Sequence, residues 1–114
     1  MTRVLIFTLL CFISLPNYAA TGSTGYIDIK QIRIGGGFTR VTGVTPFNDP
    51  SNCSNDGTNK NTDVLIFETT KSYKEIVSTL LAAQASNRPV QFWVGGCEND
   101  SGKLYPNATF IYLR

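Results

Sequence analysis

The side chains that could do chemistry in this 114-residue chain are carboxylates, amides, aromatics and a few cations, because the sequence contains no histidine. That absence removes the commonest general base, the commonest zinc ligand and any Ser-His or Cys-His nucleophile. The carboxylates that could cleave a glycoside are Glu68, Glu75, Glu98 and Asp100. Arg40 and Asp63 are the pair that a metal-dependent nuclease would use. Nothing in their spacing fixes a catalytic geometry, so we predict that the chain is not an enzyme.

Binding of a saccharide or of a protein suits these residue types better. A sugar is held by an aromatic platform together with amide and carboxylate hydrogen bonds. Trp93, Tyr105 and Tyr26 could supply the platform, and the hydrogen-bonding candidates are Asp49, Asn52, Asn55, Glu98, Asn99 and Asp100. Each has an alternative. Trp93 could equally pack under a loop or at a subunit contact, and the polar residues could be solvated turns.

A metal site is not predicted. The stretch Pro46–Asp63 is rich in Asn and Asp, but its spacing fits no EF-hand loop, which needs ligands at alternating positions and a closing Glu. Turn formation explains the same composition. We therefore predict neither a metal nor a cofactor.

Residues 1–20 have the pattern of a secretory signal peptide. A basic start, Met1–Arg3, precedes an apolar run at Val4–Leu15, and small residues follow before Ala20. The run is shorter than the ~20 residues that span a bilayer, so membrane insertion is not predicted. The remaining residues, 21–114, are the length of one domain. We expect this domain to be secreted, in the periplasm or outside the cell.

The charge of the predicted mature domain is close to neutral. The whole chain has a net charge of +2, and loss of Arg3 with the signal peptide lowers it to +1. No block of basic residues remains, so binding to nucleic acid is not predicted.

Two cysteines, Cys53 and Cys97, remain once Cys11 is removed with the signal peptide. Two cysteines in a secreted chain allow a single intramolecular pairing. A Cys53–Cys97 disulfide is therefore expected, and an intermolecular bridge or two free thiols are the alternatives.

One helix is predicted over Ser72–Asn87. Ser72 and Glu75 have the spacing of a capping box, and apolar residues recur with a helical period from Tyr73 to Leu81. Asn87 before Arg88-Pro89 predicts the end of the helix. A second face, formed by Ser78, Ala82, Ala83, Gln84 and Ser86, has no large or charged side chain.

The rest of the domain reads as strands. The predicted strands are Tyr26–Ile34 with a bulge at Lys30–Gln31, Phe38–Val44, Val64–Thr69, Pro89–Gly95 and Leu104–Leu113. Gly35–Gly37 and Glu98–Lys103 are predicted turns. This order predicts a mainly β domain, a five-stranded OB-fold-like Greek-key barrel whose helix lies between the third and fourth strands. Such barrels bind ligands on the second and third strands and in the loops after strands one and four.

The C-terminal half resembles a known family. The segments LLAAQASNRPVQFWVGGCEND and ATFIYLR are similar to the helix, the strand ending in cysteine and the closing strand of small secreted bacterial OB-fold proteins. That family includes the glycan-binding B subunits of pentameric A–B toxins. The resemblance implies a lectin-like subunit that assembles into a homo-oligomeric ring, with the small face of the helix towards the ring centre. The alternative is a monomeric secreted module that binds a protein, for example an inhibitor of an extracytoplasmic hydrolase.

Overall fold

The computed structural model describes residues 20–114, so Cys11 and the predicted signal peptide up to Ala19 lie outside the described residues. The described part of the chain contains six strands and one helix: β1 (Thr21–Ile27), β2 (Ile29–Gly35), β3 (Phe38–Asn48), β4 (Lys60–Phe67), α1 (Tyr73–Ala85), β5 (Val90–Asp100) and β6 (Lys103–Leu113). The prediction of a mainly β chain with one helix is confirmed. Over these residues, no helix has the length and apolar character needed to cross a membrane.

All six strands belong to one sheet, in the order β1-β5-β6-β4-β3-β2. Neighbouring strands are antiparallel except β4 and β6, which run parallel through the pair Leu65 and Asn107. The two strands at the ends of this order, β1 and β2, follow each other in the chain with only Asp28 between them. The ends of the sheet are thus joined by a single residue.

The prediction of five strands is wrong, because the predicted first strand, Tyr26–Ile34, forms two. Its first part pairs with β5 and its second part with β3, so the chain changes partner at Asp28. A shift of register between Ile29 and Gln31 confirms the predicted bulge, with Lys30 as the additional residue.

The core lies between one face of the sheet and the helix. Val41, Val64, Ile66 and Phe92 from the strands and Leu80 from the helix are almost fully buried. Burial of such side chains is the main favourable contribution to folding, about 1.5–3 kcal/mol each. The core therefore fixes which face of each strand points outward, and the outward faces carry the polar side chains described below.

The beginning of the helix differs from the prediction. Ser72 has a left-handed backbone (φ 68°), and its side chain makes no capping hydrogen bond. A serine N-cap needs an extended backbone to direct its oxygen at the free N–H groups of the first turn. The predicted capping box with Glu75 is therefore wrong. The hydroxyl of Tyr73 hydrogen-bonds instead with Thr39 on β3 (2.7 Å), which fastens the helix start to the sheet.

The end of the helix follows the prediction. Asn87 adopts a left-handed conformation (φ 56°). Its N–H donates to the carbonyl of Gln84 (3.3 Å), and the N–H of Arg88 donates to the carbonyl of Ala83 (2.9 Å). These two bonds form a Schellman motif. Ala83 itself is fully buried, so its assignment to the second, exposed helix face is wrong.

The loop after β3 is shorter than predicted, since β3 continues to Asn48 and β4 begins at Lys60. Its first turn is organised by Asp49, whose side chain is fully buried. The carboxylate accepts hydrogen bonds from the backbone N–H groups of Ser51 (3.1 Å) and Cys53 (2.8 Å). Bonds of this kind let a polar loop fold back on itself without a regular partner strand.

Cys53 and Cys97 form the predicted disulfide, with Cα atoms 5.5 Å apart. The bond joins the loop after β3 to the middle of β5. The loop is therefore held against β5 by a covalent bond, while Asp49 orders the loop internally.

The hairpin between β5 and β6 is tighter than predicted. The predicted turn Glu98–Lys103 is mostly strand, since β5 extends to Asp100 and β6 begins at Lys103. Only Ser101 (φ 58°) and Gly102 (φ 88°) form the turn. Two residues with positive φ give the type I′ geometry that matches the twist of the flanking strands. Asp100 is therefore held on a strand.

Candidate binding site

Four side chains form a bonded group on the outer face of the sheet, which we call the Arg40 cluster: Arg40, Asp63, Asp100 and Tyr105. The Nε of Arg40 donates to Asp63 (2.5 Å), and its two terminal nitrogens donate to Asp100 and to the hydroxyl of Tyr105 (2.9 Å each). The guanidinium carbon also lies 4.5 Å from the centre of the Tyr105 ring. One arginine on β3 thus orients side chains from β4, β5 and β6.

Further hydrogen bonds surround the cluster. Thr42 and Thr62 donate through their hydroxyls to the two oxygens of Asp63 (3.0 and 2.7 Å), and Arg33 donates to Asp100 (3.2 Å). Two arginines therefore face two aspartates, and the group is neutral overall. A neutral, fully bonded group of this kind is suited to hold side chains in place.

The charge of Arg40 is stabilised within the cluster. Burial lowers its pKa, but the hydrogen bond and the charge of Asp63, together with Tyr105 and Asp100, more than offset that effect and raise the pKa above its ordinary value. Arg40 is therefore a cation at every pH at which the protein would be studied. Since its guanidinium is already bonded to three partners, its role here is to position Tyr105 and Asp100.

A cleft of about 450 Å³ opens beside the cluster, and we call it the first cleft. Its lining residues are Cys53, Ser54, Asn55, Asn61, Thr62, Gly102, Lys103, Leu104 and Tyr105. Tyr105 contributes both to this lining and to the Arg40 cluster. Amides, hydroxyls and one ammonium group therefore converge on a cleft that Tyr105 also lines, with its side chain almost fully buried (7% exposed) and in contact with Arg40.

A second cleft, of about 570 Å³, is lined by both cysteines of the disulfide. Its lining residues are Ser51, Asn52, Cys53, Asn55, Gly96, Cys97 and Leu104. Both volumes fall in the range of ~300–1,000 Å³ that is typical of small-molecule sites.

Four of the residues predicted to bind a ligand lie in this region. Asn55 and Tyr105 line the first cleft, Asn52 and Asn55 line the second, and Asp100 belongs to the Arg40 cluster. The chain brings them together through the disulfide and the β5–β6 hairpin.

Three more of the predicted residues, Glu98, Asn99 and Trp93, lie outside both clefts. Glu98 and Asn99 are exposed on β5 and line neither cleft, and the side chain of Asn99 accepts a bond from the turn residue Gly102 (3.3 Å). Trp93 lies seven residues before Asp100 on the same strand, roughly 20 Å away. Its cross-strand neighbour is Phe110 on β6.

Trp93 belongs to a separate aromatic face, formed by Tyr26, Trp93, Phe110 and Tyr112 on the outer side of β1, β5 and β6. Each of these side chains is more than one third exposed, and Phe110 reaches 60%. The guanidinium of Arg114 covers part of the Tyr26 ring, at 5.1 Å. Two different surfaces, one polar and one aromatic, are therefore available for binding.

Several residues of the site were absent from the predicted binding set. Asn61, Thr62, Lys103 and Leu104 line the first cleft, and Arg40 with Asp63 supports it. Arg40 and Asp63 were considered only as a nuclease pair. The contact between Arg40 and Asp63 depends on the register in which β3 pairs with β4. That register cannot be deduced from the sequence, because a long loop separates the two strands. The alternating polar residues Arg40 and Thr42 on β3 were the available signal.

The described region contains no group of side chains that could bind a metal ion. Over residues 20–114, no three Asp, Glu or Cys side chains are close enough together to hold an ion. Asp63, which a nuclease would need free, is 6% exposed in its side chain and is occupied by Arg40, Thr42 and Thr62.

Comparison with protein-family models and with curated protein sequences gave no match. The geometry of the site and the resemblance of the C-terminal half are therefore the grounds for the function proposed below.

Proposed function

We propose that the chain is a secreted, non-enzymatic binding module with an OB-fold barrel that recognises a glycan, as toxin B subunits do. The observation that carries the proposal is the first cleft, in which amide and hydroxyl groups lie beside the exposed Leu104 and the nearly buried Tyr105 that Arg40 holds in place. Sugars present both hydroxyls and a flat face of C–H groups, so this combination suits them. The disulfide fits a secreted protein.

The OB-fold part of the proposal follows from strand order. If β1 and β2 are the two halves of one bent strand, the observed order becomes that of a five-stranded Greek-key barrel. The backbone N–H of Val44 on β3 donates to the carbonyl of Asp28, the residue between the halves, at 2.9 Å. This bond holds the bend of the proposed strand against its neighbour.

A glycan array tests the binding function. We expect the purified mature protein to bind a defined set of printed glycans. Asn55→Gly with Lys103→Met removes two polar groups from the first cleft and keeps a residue that accepts the positive φ at position 55. It should lower the affinity at least about tenfold, because each lost hydrogen bond is worth about 1 kcal/mol. Glu98→Ala is the matched control, since it alters an exposed polar residue of the same hairpin that lines neither cleft. Binding that Glu98→Ala weakens as much as the cleft variant does would contradict the proposed site.

A ring of identical subunits belongs to the same proposal. Ser78, Ala82 and Ser86 on the helix are exposed, small and uncharged, which would let a neighbouring backbone approach closely. We expect a higher oligomer, a pentamer by resemblance, in multi-angle light scattering. Ala82→Arg should dissociate it, whereas Asn99→Arg, which adds the same charge on an exposed part of β5, should leave the mass unchanged. A wild-type mature protein that is monomeric at all accessible concentrations would rule out the ring.

The aromatic face favours a second candidate, a monomeric module that binds a protein. Protein interfaces are enriched in Tyr, Trp and Phe, and Tyr26, Trp93, Phe110 and Tyr112 provide them on one surface. A monomer that binds no glycan, and whose binding to a protein partner is abolished by Phe110→Ser, would support this candidate over the first.

A further inference from the structure

We propose that the first and second clefts form one groove that passes over the Cys53–Cys97 disulfide, and that its ligand is an oligosaccharide of at least two units. This inference rests on the proposed glycan-binding function and specifies its ligand. A site for one terminal sugar would need only the first cleft.

The two clefts share walls. Cys53, Asn55 and Leu104 line both of them, so the clefts meet at these three residues. Leu104 lies at this junction and is 44% exposed. The exposed surface at the junction is therefore formed by the aliphatic side chain of Leu104 and the amide of Asn55, above the nearly buried Cys53. Leu104 suits the C–H face of a sugar ring that continues from one cleft into the other, and Asn55 can hydrogen-bond with its hydroxyls.

The walls of the groove are fixed before a ligand binds. The disulfide joins Cys53, which is 3% exposed, to β5. The carboxylate of Asp49 also fixes the backbone of this loop, because it accepts hydrogen bonds from the N–H groups of Ser51 and Cys53. A preorganised groove loses little conformational entropy on binding, which favours a ligand that contacts its whole length.

The far end of the groove also has an unused polar group. Asn52 lines the second cleft, and its Oδ1 is buried without a hydrogen-bond partner among residues 20–114. Such atoms are rare because an unsatisfied buried acceptor is costly. Asn52 is thus a wall residue of the second cleft whose side-chain oxygen no described residue satisfies.

A length series tests the inference. The probe is a printed array that carries hexoses, N-acetylhexosamines, deoxyhexoses and acidic sugars as mono-, di- and trisaccharides on one linker. We expect the apparent affinity to rise about tenfold or more from a monosaccharide to its di- or trisaccharide. Leu104→Ala should remove most of that rise and should weaken binding of the trisaccharide more than binding of the monosaccharide, because Leu104 lies where the two clefts meet. Leu113→Ala is the control, because Leu113 lies at the other end of β6 with a similar exposure of 41%.

The possible results separate the two proposals. Equal binding of mono- and trisaccharides, or an equal loss for both in Leu104→Ala, would overturn the continuous groove and leave the glycan function intact. An array without any signal would overturn the proposed function and this inference with it. Leu104→Thr, which suits a strand, repeats the test if Leu104→Ala shows altered circular dichroism.

Discussion

Arg40 makes the most consequential contacts of any single residue at the site. It is bonded to Asp63, Asp100 and Tyr105, and its side chain is only 22% exposed. The stability that Arg40 contributes to the fold depends on how deeply its partners are buried. Asp63 is 6% exposed in its side chain, so without Arg40 it would be a buried carboxylate that has lost its cation.

We predict that Arg40→Met destabilises the protein by about 3–5 kcal/mol, the usual cost of leaving a buried charge without its partner. Arg33→Met is the matched control. Arg33 also bonds Asp100, but its side chain is 55% exposed, so its loss should cost only ~0–1 kcal/mol. Urea unfolding measures both. Equal costs for the two variants would contradict a structural role for the Arg40 cluster.

The double variant Arg40→Met with Asp63→Val gives a second check. Removing both charges leaves no buried carboxylate unpaired, so part of the stability lost in Arg40→Met should return. A double variant that is as unstable as the sum of its single variants would show that the two residues act independently.

Asp56 lies in the loop between β3 and β4, and its protonation reports on the order of that loop. The hydroxyl of Thr58 (2.6 Å), the N–H of Thr58 (3.0 Å) and the hydroxyl of Ser54 (2.9 Å) donate to it. These bonds, the Thr58 hydroxyl foremost, lower the pKa of Asp56 below its ordinary value. Because the pKa of Asp56 is lowered, the stabilisation from these hydrogen bonds is present at neutral pH. It is lost only as the pH falls through the pKa of Asp56 in the folded protein.

We therefore predict that the amide of Thr58 stays protected from hydrogen exchange down to about pH 4, the ordinary range of an aspartic acid, and loses its protection below it. Asp56→Asn should remove the pH dependence. NMR-detected exchange as a function of pH measures this. Loss of protection at pH 4 or above would contradict the lowered pKa.

Among the elements, the helix shows most clearly what the sequence could and could not predict. Its apolar period placed Ile76 and Leu80 in the core, and Asn87 ended it as expected. The start was mispredicted because the Ser72-to-Glu75 spacing is compatible with a capping box but does not set the backbone angles of Ser72. Those angles are imposed by the connection from β4, which turns sharply before the helix.

We predict that Ser72→Ala changes stability by less than about 0.5 kcal/mol, instead of the ~1 kcal/mol that a capping serine would lose. Ser72→Gly should be equal to the wild type or more stable, because glycine avoids the ~1–2 kcal/mol cost of a left-handed residue, partly offset by its own entropy. Thermal unfolding of the three proteins tests both statements. A marked loss in Ser72→Ala would restore the capping box.

The strands show a similar division. Alternation of apolar and polar residues predicted the buried face of β5, which is formed by Val90, Phe92 and Val94. In Tyr26–Ile34 this alternation is interrupted, and the interruption predicted the bulge in β2. The split at Asp28 could not be predicted, because it depends on two partner strands that are distant in the sequence. The predicted β5–β6 turn is too long because the residues of this exposed hairpin are polar, as loop residues usually are. Only Ser101 and Gly102 form the turn.

At the scale of the whole molecule, the disulfide is the clearest success of the sequence analysis. Cysteine count and the N-terminal pattern were enough to pair Cys53 with Cys97. The two clefts beside it were not predictable, because their walls come from four separate segments of the chain. Only the folded sheet brings Asn55, Thr62 and Tyr105 to one place.

We predict that replacing both Cys53 and Cys97 with Ser lowers the free energy of unfolding by about 4 kcal/mol, the chain-entropy value for a loop of 44 residues. For a domain of this size, such a loss is comparable with its whole stability. Urea unfolding of the oxidised protein and of the double variant measures it. Peptide mapping without reduction should recover the linked peptides, and two free thiols in the mature protein would contradict the structure.

The position of β1 at one end of the strand order has a consequence for synthesis. The only strand that β1 pairs with in the described sheet is β5, and Thr21 lies opposite Gly95. The first strand to leave the ribosome must therefore wait for nearly the last one, while β2, β3 and β4 can already pair with each other. Until then β1 presents an unpaired edge, of the kind that other chains can add to. A nascent or C-terminally truncated chain lacking β5 would therefore be prone to aggregation and proteolysis at its N-terminal end.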